Sequence, residues 1–104
     1  MIYPNKLYIN GNPCGKETIV EGNHFRFSWS LQGNGRQVAY SLTIFQGQQS
    51  LWSSNWINAS TQNSEAEIPY LRSGWLYTVC LTVRDEDGQE TALRGYFRMA
   101  LLEG

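Results

Sequence analysis

Few side chains in this sequence have the chemistry of a catalyst or a ligand, and their spacing limits what they can do. His24 is the single histidine. A general base or metal ligand needs partners, and no Asp or Glu gathers around it in the sequence. One histidine excludes an all-histidine zinc site and weakens any Ser-His-Asp arrangement. His24 therefore reads as the outward, solvated member of a strand. Asp85-Glu86-Asp87-Gly88 is the densest carboxylate cluster. Its oxygens suit a hard cation, and paired carboxylates are the tools of glycoside hydrolysis. The cluster lacks the loop pattern of an EF-hand, and a lone hairpin tip supplies no cleft. Asp87-Gly88 is an ordinary hairpin turn pair, because glycine takes positive φ without a Cβ clash. Cys14 and Cys80 are the two cysteines. One disulfide between them is open, but the spacing fits no Cys-x-x-Cys metal or redox motif. Cys80 falls inside a strand and reads as a free thiol packed as a small hydrophobe. No catalytic, cofactor-binding or metal-ligating residue is assigned, and no cofactor is expected.

The elements that would position these residues are strands. Leu71 to Gly88, LRSGWLYTVCLTVRDEDG, reads as a corner, a long strand and an acidic turn. Tyr77, Val79, Leu81 and Val83 share one face; Leu76, Thr78, Cys80 and Thr82 share the other. His24 to Ser30 alternates in the same way, with Phe25, Phe27 and Trp29 inward. Val38 to Phe45 places Val38, Tyr40, Leu42 and Ile44 on the expected inner face. Shorter segments fall at Lys6–Ile9, Thr18–Val20, Leu51-Trp52, Trp56-Ile57 and Ala66–Ile68, the last stopped by Pro69. Thr91 to Met99 is the final strand, with a break expected near Gly95. About seven strands at this spacing, with no sustained helical period, predict an all-β Greek-key sandwich rather than a βαβ fold.

Bulk properties narrow the function classes. The 104 residues suffice for one core, and 41% apolar with 13% aromatic content predicts a folded chain. A formal net charge of −1 gives no basic field, so neither nucleic acid nor an anionic membrane is an expected partner. No stretch approaches transmembrane length, and MIYPNKLYINGNP has no apolar core of the signal-peptide kind. The compartment stays open between cytoplasm and export. Four tryptophans are many for this length. Trp29 alternates in phase with Phe25 and Phe27 and belongs to the core. Trp52, Trp56 and Trp75 are the candidates for contact with a sugar or a neighbouring domain, against the plainer role of closing the ends of the core. Asn58-Ala59-Ser60 matches an N-glycosylation sequon, which matters only in a secreted protein from a glycosylating host.

Several stretches in order resemble the fibronectin-type-III-like module near the N-terminus of bacterial alpha-L-rhamnosidases. They are Phe27-Ser28-Trp29, Arg36-Gln37-Val38-Ala39-Tyr40, Leu51-Trp52-Ser53-Ser54, Ile68-Pro69-Tyr70, Leu71 with Tyr77, Asp85-Glu86-Asp87-Gly88-Gln89, and Phe97 to Leu102. The resemblance runs over residues 5 to 104. The chain departs from it at Val79, Arg84 and Leu93-Arg94, where the family usually carries tryptophans or a Trp-Ser pair. The resemblance implies a seven-stranded immunoglobulin-like (fibronectin type III) β-sandwich, with residues 1–104 forming a single domain of a larger multidomain protein. It gives Trp29, Tyr40, Leu71 and Tyr77 structural roles, Tyr77 at a corner whose hydroxyl bonds nearby backbone.

In that family the rhamnoside-cleaving carboxylates sit in a separate helical barrel, so the resemblance implies a non-catalytic fragment of a glycoside hydrolase. Its partners would be neighbouring domains of the parent enzyme. Such a module should expose an apolar patch involving Trp56 or Trp75, with Leu101-Leu102 leading onward. An independent carbohydrate-binding or adhesion module would instead line one concave face with exposed aromatics and amides. A self-contained enzyme would have to show turnover as the isolated chain.

Overall fold

Alternation of apolar and polar residues carries through into the computed structural model, which describes residues 1–101. The strands are β1 (Ile2–Ile9), β2 (Asn12–Pro13), β3 (Ile19–Val20), β4 (His24–Gly33), β5 (Gln37–Gln46), β6 (Gln49–Ser53), β7 (Asn63–Glu67), β8 (Leu76–Asp85) and β9 (Glu90–Met99). One sheet has the order β2-β1-β4-β7 and the other β3-β9-β8-β5-β6. The result is an all-β sandwich of the immunoglobulin and fibronectin type III kind. It has nine described strands and not seven. The additional two are two-residue segments from the chain between β1 and β4. The Asn10-Gly11 turn folds β2 back on β1, with Tyr8 opposite Pro13. The chain then crosses to the other sheet, where β3 runs parallel to β9, Ile19 beside Arg98.

The inward faces make one core. Phe25, Phe27, Leu42, Ile44, Val79, Leu81, Val83 and Phe97 are fully enclosed. Trp29 packs on Tyr40 with ring centroids 4.9 Å apart, and Phe97 packs on Tyr77 at 5.7 Å and on Phe25 at 6.0 Å. The Trp29–Tyr40 and Phe25–Phe97 contacts join the two sheets, since Phe25 and Trp29 come from one and Tyr40 and Phe97 from the other. The β4 and β8 phases match the sequence reading.

Three departures have local causes. β1 begins at Ile2, before Pro4, because a bulge between Pro4 and Lys6 accommodates a residue that cannot donate to the ladder. In β5, Gln37 faces Asp85 and Ala39 faces Arg84, so Val38 is the extra residue of a bulge. Val38 is half-buried rather than inward, and Gln37 takes the core position. β9 runs unbroken through Gly95, which pairs with Val79. Glycine there answers a packing need rather than a turn.

Leu71 and Tyr77 form the expected corner. Leu71 packs against the core, and the Tyr77 hydroxyl accepts the Arg72 N–H at 2.7 Å. The loop from Leu71 to Trp75 is thereby tied to β8 before the strand starts. Tyr77→Phe keeps the ring on Phe97 and removes only this acceptor. Stability should fall by about 1–2 kcal/mol, read as a lower urea midpoint at unchanged slope.

Candidate interdomain surface

The three tryptophan candidates do not form one site. Trp52 lies opposite Ile44 and packs, half-buried, against the core. Trp56 and Trp75 are 40% and 42% exposed, enough for contact, but they sit at opposite ends of β8. Trp56 lies under Arg84, whose guanidinium is 4.1 Å from the ring centroid and is also held by Glu90 at 2.8 Å. Trp75 immediately precedes β8. Nine residues of extended chain between Trp75 and Arg84 span roughly 30 Å.

The Trp75 end has the apolar surface. Here the corner loop, the segment entering β4 and the segment leaving β9 converge. Gly74 N–H donates to Met99 O at 2.9 Å, Met99 N–H to Trp75 O at 3.0 Å, and Ala100 N–H to Val20 O at 2.9 Å. Arg98 adds a 2.8 Å bond to Gly74 O. Gly74 has φ +76°, a left-handed conformation that favours glycine, and Leu101 Cδ2, the tip of an exposed side chain, lies beside it. Trp75 and Leu101 are exposed beside this frame. Ile19 is exposed on β3, and Tyr70 is exposed with its hydroxyl donating to Leu51 O of β6 at 2.9 Å. Val20, Leu71, Met99 and Leu101 line an open groove of about 560 Å³, with Glu21 and Ser73 on its rim. Leu102 lies outside the described residues. Arg72 stands over the Trp75 ring at 5.1 Å.

The acidic turn is occupied with its own backbone. Asp85 is buried, and its Oδ1 accepts the N–H groups of Asp87 and Gln89, each at 2.9 Å. Gly88 closes the turn at φ +82°. His24 is exposed and lies 3.3 Å from Glu65 on the neighbouring strand. His24 and the acidic turn stand at opposite ends of the sandwich, His24 at the start of β4 and Asp85 at the end of β8. They share no site.

Both cysteines are free thiols. Cys80 lies on the outer face between Thr43 and Arg94. Cys14 packs on the inner side of the same sheet against Gly95, in a groove with Leu7 and Leu93. The sheet separates the two sulfurs. Burial pushes the Cys14 thiol up to about 12. At pH 8 only about one such thiol in ten thousand is ionised, so Cys14 should resist iodoacetamide in the native chain and react on unfolding. Rapid native alkylation, read by peptide mass, would contradict this packing. The folded state also holds this proton more tightly than the unfolded chain does. Its contribution to stability is full below about pH 9 and is lost as pH rises toward 12. Cys14→Ala should flatten that alkaline slope.

A family model described as the Rha78A-like, N-terminal immunoglobulin domain matches residues 12–103. The chain belongs to this family. Solved structures agree on the fold. The alpha-L-rhamnosidase from Dictyoglumus thermophilum superposes with TM-score 0.81 at 19% identity, over 96% of this chain and 12% of that one. The Streptomyces avermitilis alpha-L-rhamnosidase complexed with L-rhamnose gives 0.79 at 16%, over 96% and 11%. The Aspergillus terreus enzyme gives 0.67 at 20%, over 99% and 12%. This Rha78A-like immunoglobulin domain thus spans only about an eighth of the length of each rhamnosidase. No curated protein sequence matches it. A family described as N-terminal has adjoining domains in the proteins that carry it, which makes the apolar end the natural place to look for contact.

Proposed function

We propose that the chain is a non-catalytic structural module, a single domain over residues 1–104, of a larger rhamnosidase-like glycoside hydrolase. Its work is to pack against adjoining domains and so help hold the catalytic barrel of the parent enzyme in place. The observation that carries this reading is the apolar groove lined by Val20, Leu71, Met99 and Leu101 beside the departing chain, with Trp75 and Leu101 exposed next to it. Exposed large apolar side chains clustered at one place mark a contact surface, whereas scattered ones do not. A carbohydrate-binding module would need bare aromatic faces arranged along one saccharide path. Here each exposed tryptophan carries an arginine over one face, and the two stand at opposite ends.

Titration of the isolated chain with rhamnosides and plant polysaccharides, followed by tryptophan fluorescence and calorimetry, tests the reading. No saturable binding is expected. Saturable binding that is lost in Trp56→Ala or Trp75→Ala would replace it with the carbohydrate-binding one, and turnover of an aryl rhamnoside by the purified chain would replace it with an enzymatic one.

A further inference from the structure

The two outer faces of the sandwich differ in how they handle charge. On the β1-β4-β7 face, Arg26 lies opposite Glu65 and His24 opposite Glu67, and His24 also reaches Glu65 at 3.3 Å. On that face Arg26 and His24 each have a carboxylate opposite them on the neighbouring strand. On the outer face of β3-β9-β8 the one outward carboxylate of the two long strands is Glu90, held at the far end by Arg84 at 2.8 Å, and from Leu76 to Thr82 and from Thr91 to Met99 there is none. Arg94 and Arg98 project there, and Lys16 stands over the Tyr96 ring at 5.5 Å. Among the described residues none of the three cations has a carboxylate partner within 4.0 Å, neighbouring Glu17 included. Arg98 spends one N–H on Gly74 O.

The same face is partly apolar. Ile19, Leu76 and Tyr96 lie in adjacent rows, Ile19 beside Arg98, Arg98 beside Leu76, and Tyr96 beside Thr78. Thr78, Cys80 and Thr82 keep the centre low. The surface is continuous with the apolar end through Ile19 and Trp75.

We propose that this face seats the adjoining domain, and that the surface docked on it is apolar at its centre and carries carboxylates opposite Lys16, Arg94 and Arg98. The proposal rests on the interdomain reading above and adds the face and the chemistry of the partner. Cations without internal partners, set around apolar side chains, fit a partner that supplies the opposite charge and covers the hydrophobic rows. A face with its one exposed ring already under Lys16 suits a domain better than an acidic polysaccharide. Three cations in a chain of net charge −1 are too sparse a field for nucleic acid.

The test uses the uninterrupted protein beside the 104-residue chain. Hydroxyl-radical labelling of Tyr96 and Leu76 should fall about tenfold in the longer protein, as burial in an interface core requires, while Tyr3 on the other sheet labels alike in both. Zero-length carbodiimide coupling should join Lys16 to an Asp or Glu of the adjoining domain. Arg94→Glu should leave the isolated chain folded and restore Tyr96 labelling in the longer protein. Unchanged Tyr96 labelling with protection at Trp75 and Leu101 would overturn this face and leave the interdomain reading standing. A reading frame with no adjoining domain would overturn both. Saturable binding of polygalacturonate to the isolated chain, lost in Arg94→Glu, would assign the face to an acidic polysaccharide instead.

Discussion

Gly95→Val should abolish the cooperative native state, and Gly95→Ala should cost about 1–3 kcal/mol, the range for an added methyl in a packed core. Gly95 is buried in β9, against Cys14 and Leu7. An ideal Cβ at this position would lie 2.7 Å from Cys14 Cβ and 3.4 Å from both Cys14 Sγ and Leu7 Cδ2. The first contact cannot be relieved by rotating a flexible tip, because a Cβ moves only with its backbone. That backbone is fixed: Cys14 N–H donates to Leu7 O at 2.9 Å, and Leu7 lies in ladder with Trp29. Urea unfolding measures the loss for the alanine variant, and native iodoacetamide labelling of Cys14 reports whether the contact has opened. A second substitution separates this cause from ordinary strand propensity. Cys14→Gly removes the opposing Cβ and should recover part of the loss in Gly95→Ala, whereas Cys14→Ala keeps the Cβ and should not. Equal effects of the two would mean that the clash is not what makes glycine necessary.

Gly95 also marks the limit of what could be read from the sequence. Period-two alternation exposed β4 and β8 because each has one face in the core and one in water, as Phe25-Phe27-Trp29 and Tyr77-Val79-Leu81-Val83 do. The Leu71–Tyr77 corner was legible for the same reason that it exists, a short-range link between a loop N–H and a strand side chain. What stayed hidden depends on partners distant in sequence. A glycine in a strand looks like a break until Cys14, some eighty positions earlier, is seen beneath it. The two residues of β2, Asn12 and Pro13, read as turn and become a strand only through β1. Val38 was placed inward because strict alternation admits no extra residue, and a bulge supplies one. For the candidate surface, the sequence offered Trp56 or Trp75 and Leu101-Leu102 without saying which lie together. Only the topology shows that β8 separates Trp56 from Trp75, and only the registers show that Arg94 and Arg98 share a face on which the outward carboxylate of β9, Glu90, is already held by Arg84.

Gln37→Leu should cost about 3 kcal/mol, more than most surface or half-buried changes, although it puts an apolar residue of similar volume into the core. Gln37 is 2% exposed and every polar group on its amide is used. Oε1 accepts the Trp29 indole N–H at 2.9 Å, while Nε2 donates to Ala59 O at 3.0 Å and Thr61 O at 2.8 Å. Leucine would strand the indole N–H in the aromatic stack with Tyr40, and each buried polar group left without a partner costs about 1–3 kcal/mol. The two carbonyls belong to the loop carrying the chain from β6 to β7, from one sheet to the other, and part of their loss would be recovered by water. Gln37→Glu gives a sharper test. An ionised carboxylate still accepts from Trp29 but faces two carbonyl oxygens with no proton to give. The protonated acid offers one donor. Folding therefore favours protonation of this group, so the variant's deficit relative to wild type should shrink as pH falls from 7 toward 4. Gln37→Leu has no titrating group there and its deficit should stay constant. A pH-independent deficit in Gln37→Glu would show that the loop gives way before the amide matters. If the amide does hold the loop, its loss should also loosen Trp56, which precedes the same crossing, and shift the fluorescence of the ring now under Arg84.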